Sequence, residues 1–188
     1  ARLNRAAGTV KEALAQYRFN DAAGAVYEYF WNDFCDWYIE ATKLSIKGPD
    51  RAEADRATTV LLGVLEESLR LLHPFLPFVS EELYQMLPNR PGEAWLINQP
   101  YPEPQDGRVD LEADFDSLRE LVGLVRNLRG EFQIPPGQQI RLAVKAEAGF
   151  RGEAFLRANA ALVGLLVNGP APDFAAAGAA RPAGAVAL

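Results

Sequence analysis

Side chains that hold metals or do covalent chemistry are almost missing from this sequence, which has one cysteine and one histidine. A structural zinc site takes about four thiolate or imidazole ligands, so a site of that kind is excluded. A lone cysteine closes no internal disulfide, which fits a reducing compartment. Cys35 has no second thiol and only His73 as a possible imidazole partner, so it reads as a buried inert thiol rather than a nucleophile. His73 itself has two readings, a base or a polar group at a helix end, and with no partner cluster nearby the second is preferred. No glycine-rich phosphate loop of the Walker or dinucleotide type occurs. No apolar run reaches the length of a membrane span, and the start, Ala1-Arg2-Leu3-Asn4-Arg5, is no signal peptide. Beginning mid-helix without methionine, it reads as an excised piece of something larger. Positive charge is also short: 19 Lys and Arg face 25 Asp and Glu, a formal net charge of −6. Phosphate neutralisation supplies most non-specific nucleic-acid affinity, so this balance argues against a general nucleic-acid binder. Any basic face must be local.

What the chain does have is apolar and aromatic surface. Hydrophobic residues make up 49% and charged residues 23% of 188, the profile of a soluble globular domain with room for a small appendage. The stretch from Phe19 to Lys43 organises the rest. At helical spacing Ala23, Tyr27, Phe30, Phe34, Trp37 and Ala41 share one face, broadened by Val26, Tyr38 and Ile39, with Asp33, Asp36, Glu40 and Lys43 towards water. So many aromatics on one helix can pin several others around it.

A first helix is expected over residues 1–17, with Leu3, Ala6 or Ala7, Val10, Leu14 and Tyr17 inward and Arg2, Arg5, Thr9 and Glu12 as an outer stripe. Asn20 or Asp21 is the expected cap of the aromatic helix, which stops at Lys47-Gly48-Pro49-Asp50. The third helix runs from near Asp50 to Leu72, where His73-Pro74 ends or kinks it, and Pro77 opens the next, Phe78 to Leu87. In the proline-rich stretch from Pro88 to Gly107, Trp95-Leu96-Ile97 is the expected short strand. Asp110 to Gly130 returns to helix, with Leu111, Phe115, Leu118, Leu121, Val125 and Leu128 inward and Gly130 suited to a C-terminal cap. Ile140 to Lys145 alternates like a half-buried strand, and Phe150 to Asn159 and Ala160 to Val167 read as short helices. Beyond Gly169 the Ala/Gly/Pro-rich tail holds one edge strand or none. The expected architecture is mainly α: a helical bundle over residues 1–130, then a small α/β appendage over 131–188.

One surface pattern bears on function. Positions 119, 123, 126 and 130 form a stripe reading Arg, Gly, Arg, Gly, with Arg129 beside it. Glycine at 123 costs about 1 kcal/mol of helix propensity relative to alanine, which suggests close approach by something. Arg119, Arg126 and Arg129 could receive a phosphate backbone, or could pair with local carboxylates while Gly123 admits a neighbouring helix. Arg2 and Arg5 are a second basic candidate. From the Tyr29 to Trp31 run, Tyr29 or Trp31 could stack on an unpaired base.

The word Phe34-Cys35-Asp36-Trp37-Tyr38 is preceded by Tyr17-Arg18-Phe19-Asn20-Asp21-Ala22-Ala23 and followed by Ile39-Glu40-Ala41-Thr42-Lys43. In this it resembles the tRNA anticodon-binding domain of the valyl-tRNA synthetase family. The stretches Leu71-Leu72-His73-Pro74-Phe75-Leu76-Pro77-Phe78-Val79-Ser80-Glu81-Glu82-Leu83-Tyr84-Gln85 and Val125-Arg126-Asn127-Leu128-Arg129 match the same family in the same order. The His-Pro-Phe word is shared with the isoleucyl and leucyl relatives; Phe34 to Tyr38 is the specific one. The likeness covers about residues 1–168. It implies a cytoplasmic, monomeric ligase that joins valine to its tRNA with ATP and Mg and edits mischarged threonine, acting through domains absent here. The class I signature words that bind ATP are missing, so no cofactor is expected in these residues and catalysis is expected outside them. The tRNA partner, valine-specific, and the catalytic domains in cis are implications of the resemblance. The alternatives are a helical protein-interaction module without RNA affinity and the isoleucyl equivalent.

Overall fold

The computed structural model describes residues 1–88, 92, 94–105, 110–145 and 149–175, with the side chains of 110 and 111 excepted. The fold is mainly α and divides into two compact units, Ala1–Gly107 and Arg108–Leu188. This division falls ahead of the helix Asp110–Glu131, whereas the sequence reading drew its boundary after it, because the helix packs on the elements that follow.

In the first unit, α1 (Arg2–Ala15) and α2 (Phe19–Glu28) form an antiparallel hairpin. Their buried residues are small and share one core cluster: Ala6, Ala7, Val10 and Ala13 on α1, Ala22 and Val26 on α2. The turn between them closes with Arg18 N–H on the Ala13 carbonyl (2.8 Å) and Tyr17 N–H on the Leu14 carbonyl (3.0 Å), the paired bonds of a Schellman end. The second helix therefore starts at Phe19, earlier than a cap at Asn20 or Asp21 allows, and its N-terminal residue Arg18 offers no side-chain cap.

Beyond Glu28 the helix continues as a π-helical segment, Tyr29–Ile39, and then as α3 (Glu40–Ile46). This changes which aromatics are core. The buried series is Ala22, Val26, Tyr29 and Phe34, so the inward face lies one position ahead of the expected Ala23 and Tyr27, and the last step spans five residues, as i→i+5 bonding requires. Tyr27 is exposed, and Trp37 is half-buried. Phe34 stacks on Phe30 at 5.5 Å and lies 6.0 Å from Tyr38.

Asp50 caps α4 (Arg51–Leu72) by accepting from Ala52 N–H (2.9 Å) and Glu53 N–H (3.1 Å). Leu71 and Leu72 of α4 complete the main core. Ser68, also on α4, donates to the Val64 carbonyl at 2.6 Å, so its single proton is used. Tyr29 O–H must then be the donor in its 2.9 Å contact with Ser68 Oγ. His73 sits at the end of α4 with Nδ1 2.8 Å from Ser80 Oγ, a polar join to α5 (Pro77–Gln85). Residues Leu96–Asn98 form a 3-10 turn, not the expected strand: Leu96 alone points inward, against Leu69 and Tyr84, and its N–H binds the Glu81 carboxylate (3.0 Å) instead of a ladder partner.

In the second unit, α6 (Asp110–Glu131) packs on α7 (Glu153–Ala158) and α8 (Ala160–Val167). Leu118, Val122, Val125, Leu156, Val163 and Val167 are its buried large apolar side chains among the described residues. The helix end is set by Gln133 in the left-handed region (φ 51°), not by Gly130. Strand β1 (Ala143–Val144) pairs in parallel with β2 (Asp173–Phe174), in register Ala143 to Asp173 and Val144 to Phe174. The expected alternation over residues 140–145 is present, half-buried then exposed, but only two residues join the ladder. The tail beyond residue 175 lies outside the described residues. Among the described residues no helix is long and apolar enough to cross a membrane.

Candidate nucleic-acid interface

Tyr17 is the C-terminal stop of α1, and it sits in the left-handed backbone region at φ 59°. Glycine is the usual occupant of that position because a Cβ is penalised there. The strained backbone carries an aromatic ring that is 80% exposed. The ring meets Phe19, itself 59% exposed, edge to face at 6.3 Å. Between them Arg18 pairs with Asp21 at 2.6 Å and donates to the Gln16 side chain at 3.0 Å. Tyr17, Arg18, Phe19, Asn20 and Asp21 line a shallow hollow of about 330 Å³.

A second exposed pair lies further along the same continuous helix. Tyr27 and Trp31 are 63% and 53% exposed, their rings parallel within 5° at 5.9 Å. Gly24, one turn before Tyr27, is exposed, with no described atom within 4 Å of where a Cβ would lie. Residues 17–31 thus carry two outward aromatic pairs with hydrogen-bonding groups beside them. Flat π-faces flanked by polar groups are what unpaired bases stack on. Sequence periodicity assigned Tyr17 and Tyr27 to the core. Tyr17 alone left a local signal, a bulky residue where a helix stop asks for glycine.

The other predicted site residues divide. Tyr29 is not available for stacking, being 6% exposed and bonded to Ser68. Burial pushes its phenol up to about 12. Trp31 is exposed as expected. Arg2 bonds Asp33 at 2.7 Å and ties α1 to the π segment, so its guanidinium is engaged within the fold. Arg5 is exposed on α1. On α6, Arg119 is half-buried and Arg126 exposed. Arg129 does not present its guanidinium to a phosphate: it donates to the carbonyls of Pro135 (2.8 Å), Pro136 (3.2 Å), Gln138 (2.6 Å) and Val167 (3.3 Å). It is a clamp on the loop after α6. Gly123 and Gly130 have no described atom within 4 Å of a Cβ position, so no neighbouring helix of the described residues accounts for Gly123.

Burial raises the thiol pKa of half-buried Cys35, with Asp36 adding to the shift, which makes it a poor nucleophile. Among the described residues no three His, Cys, Asp or Glu side chains gather as around a metal ion.

Residues 1–145 match the family model described as the anticodon-binding domain of tRNA ligase. The chain is 44% identical over 192 residues to the valine–tRNA ligase of Treponema denticola, an alignment covering 98% of this chain and 21% of that protein. The valine–tRNA ligase of Treponema pallidum is 46% identical, covering 76% of the chain and 16% of the relative. That of Thermotoga maritima is 44% identical, covering 77% and 16%. The chain spans about a fifth or less of the length of the curated relatives it matches.

Proposed function

Because the chain belongs to the family of anticodon-binding domains of tRNA ligases, with valine–tRNA ligases as relatives over most of its length, we propose that it holds the anticodon region of valine tRNA for such a ligase. The isoleucyl alternative is not favoured. The observation that carries the reading is the pair of exposed aromatic pairs on residues 17–31, in a chain of this family. Unpaired anticodon bases stack on Tyr17 and Phe19 or on Tyr27 and Trp31, and Asn20 and Arg18 offer donors to base edges. Arg5 on the first unit and Arg126 on the second contact backbone phosphates, which add affinity but no base identity. The whole ligase is a cytoplasmic monomer that uses ATP and Mg in domains linked in cis. The residues here carry no phosphate loop and fit neither group, so no step of amino-acid activation is placed on them.

The test is a titration of valine tRNA and a non-cognate tRNA across a series of salt concentrations. Preference for valine tRNA, with affinity falling as salt rises, is the expected result. Equal or undetectable binding to both would leave a helical protein-interaction module as the better reading.

A further inference from the structure

Helix α5 is apolar on two sides. Its inner side places Ser80 and Tyr84 in the fold, with Tyr84 against Leu69 and Leu96. One flank holds the 94–96 segment, Gln85 donating to the Ala94 carbonyl and Glu81 accepting from Leu96 N–H. On the opposite flank Leu76, Val79, Leu83 and Met86 are 39–73% exposed. Their spacings of three, four and three residues are those of the a and d positions of a helix-pairing seam. Phe78, at 90% exposure, stands beside them on the outer side. Stable proteins rarely leave so continuous an apolar strip open to water.

We propose that this strip is the seat of an amphipathic helix from the same polypeptide, outside these 188 residues. The inference takes from the family reading only that the chain is part of a longer ligase. The matched relatives are about five times as long as this chain or more, so candidate helices exist in cis. Tethering gives such a helix an effective concentration in the millimolar range for short flexible linkers, enough for a strip of a few turns. Charge argues against the other occupants. Residues 77–85 include Glu81 and Glu82 and no Lys or Arg, a poor surface for RNA phosphates. Glu82 also borders Met86 one turn on, and two copies of an acidic chain of net charge −6 repel where they meet. A helix seated here packs at a shallow angle, side chains interleaved with the strip.

Met86 is the only methionine among the 188 residues and reports on the strip without any substitution. Its oxidation by hydrogen peroxide is followed by mass spectrometry in the full-length polypeptide, natively folded and in denaturant. The proposal expects Met86 to oxidise at least about 10-fold more slowly in the native protein, at any protein concentration and with or without tRNA. Val79→Asp with Leu83→Asp should restore fast oxidation. A native rate equal to the denatured one overturns the proposal. Protection that grows with protein concentration assigns the strip to a second copy, and protection that needs tRNA assigns it to RNA; either also overturns it. The result is independent of whether valine tRNA is preferred in the titration above, so the two readings fail separately.

Discussion

Replacing Tyr17 by glycine should move stability and RNA affinity in opposite directions. The residue holds φ 59° at the end of α1, where a side chain other than glycine costs about 1–2 kcal/mol. Glycine relieves that strain but has more freedom to lose on folding, an offset of about 0.5–1 kcal/mol. The ring is 80% exposed, and its single aromatic contact is the edge-on one with Phe19, so little burial is lost. The net expectation is a gain of about 0.5–1 kcal/mol in urea unfolding, seen as a higher midpoint at unchanged slope. If the ring stacks on a base, its loss costs about 1–3 kcal/mol of binding, roughly 5- to 150-fold in affinity for valine tRNA. Tyr17→Phe keeps both the ring and the strain and should leave both quantities close to wild type. A Tyr17→Gly variant that melts earlier would show that the ring packs. One that keeps its affinity would remove Tyr17 from the interface and refute the link between strain and binding.

Arg129→Ala should lower stability by about 2 kcal/mol, since it leaves several carbonyls without a charged donor, while the salt dependence of tRNA binding stays put. Arg126→Ala should do the reverse, making the slope of log affinity against log salt shallower by just under about one unit. Phe34→Ala, at 2% exposure, should cost about 3–5 kcal/mol in denaturant unfolding, and Trp37→Ala less, because Trp37 is only half-buried. Tyr29 should make stability fall in alkali. Its folded phenol is raised to about 12 against an ordinary value of 10, so the contribution is whole below pH 10 and lost between about pH 10 and 12 as the unfolded phenol ionises first. Tyr29→Phe should make that part of the stability–pH curve shallower, with the buried phenols of Tyr101, also raised to about 12, and Tyr38 keeping the rest of the fall.

The helical elements were legible because their signals are local. Apolar residues recur every three to four positions, Asp50 precedes a free helix end, and Pro49 and Pro74 interrupt the pattern. The alternation of Ile140, Leu142 and Val144 was equally local. What stayed hidden depends on geometry along or across the chain. The π segment adds a five-residue step that a 3.6 period cannot foresee, which is why Tyr27 was assigned inward and Tyr29 outward. Trp95-Leu96-Ile97 has the composition of a strand but no partner strand among the described residues, and Glu81, fifteen residues away, accepts from Leu96 N–H. Arg2 and Asp33 are thirty-one residues apart, and nothing in either segment announces their bond. For Arg129 the sequence left phosphate contact and local carboxylate pairing both open, and its clamp on backbone carbonyls was hidden because it depends on the path of residues 135–138, which side-chain pattern does not encode. The proposed surface was thus half legible: Trp31 was a stacking candidate from the sequence alone and is exposed, while Tyr17, Phe19 and Tyr27 became candidates only when the turn and the π segment were placed.

The central claim, that residues 17–31 carry the RNA surface, is tested most directly by photocrosslinking. Valine tRNA with 4-thiouridine in the anticodon loop is irradiated in complex with the protein, and the crosslinked peptides are identified by mass spectrometry. Crosslinks at Tyr17, Phe19, Tyr27 or Trp31, competed away by unlabelled valine tRNA, are the predicted result. Specific crosslinks confined to other segments, with none in residues 17–31, would contradict the account.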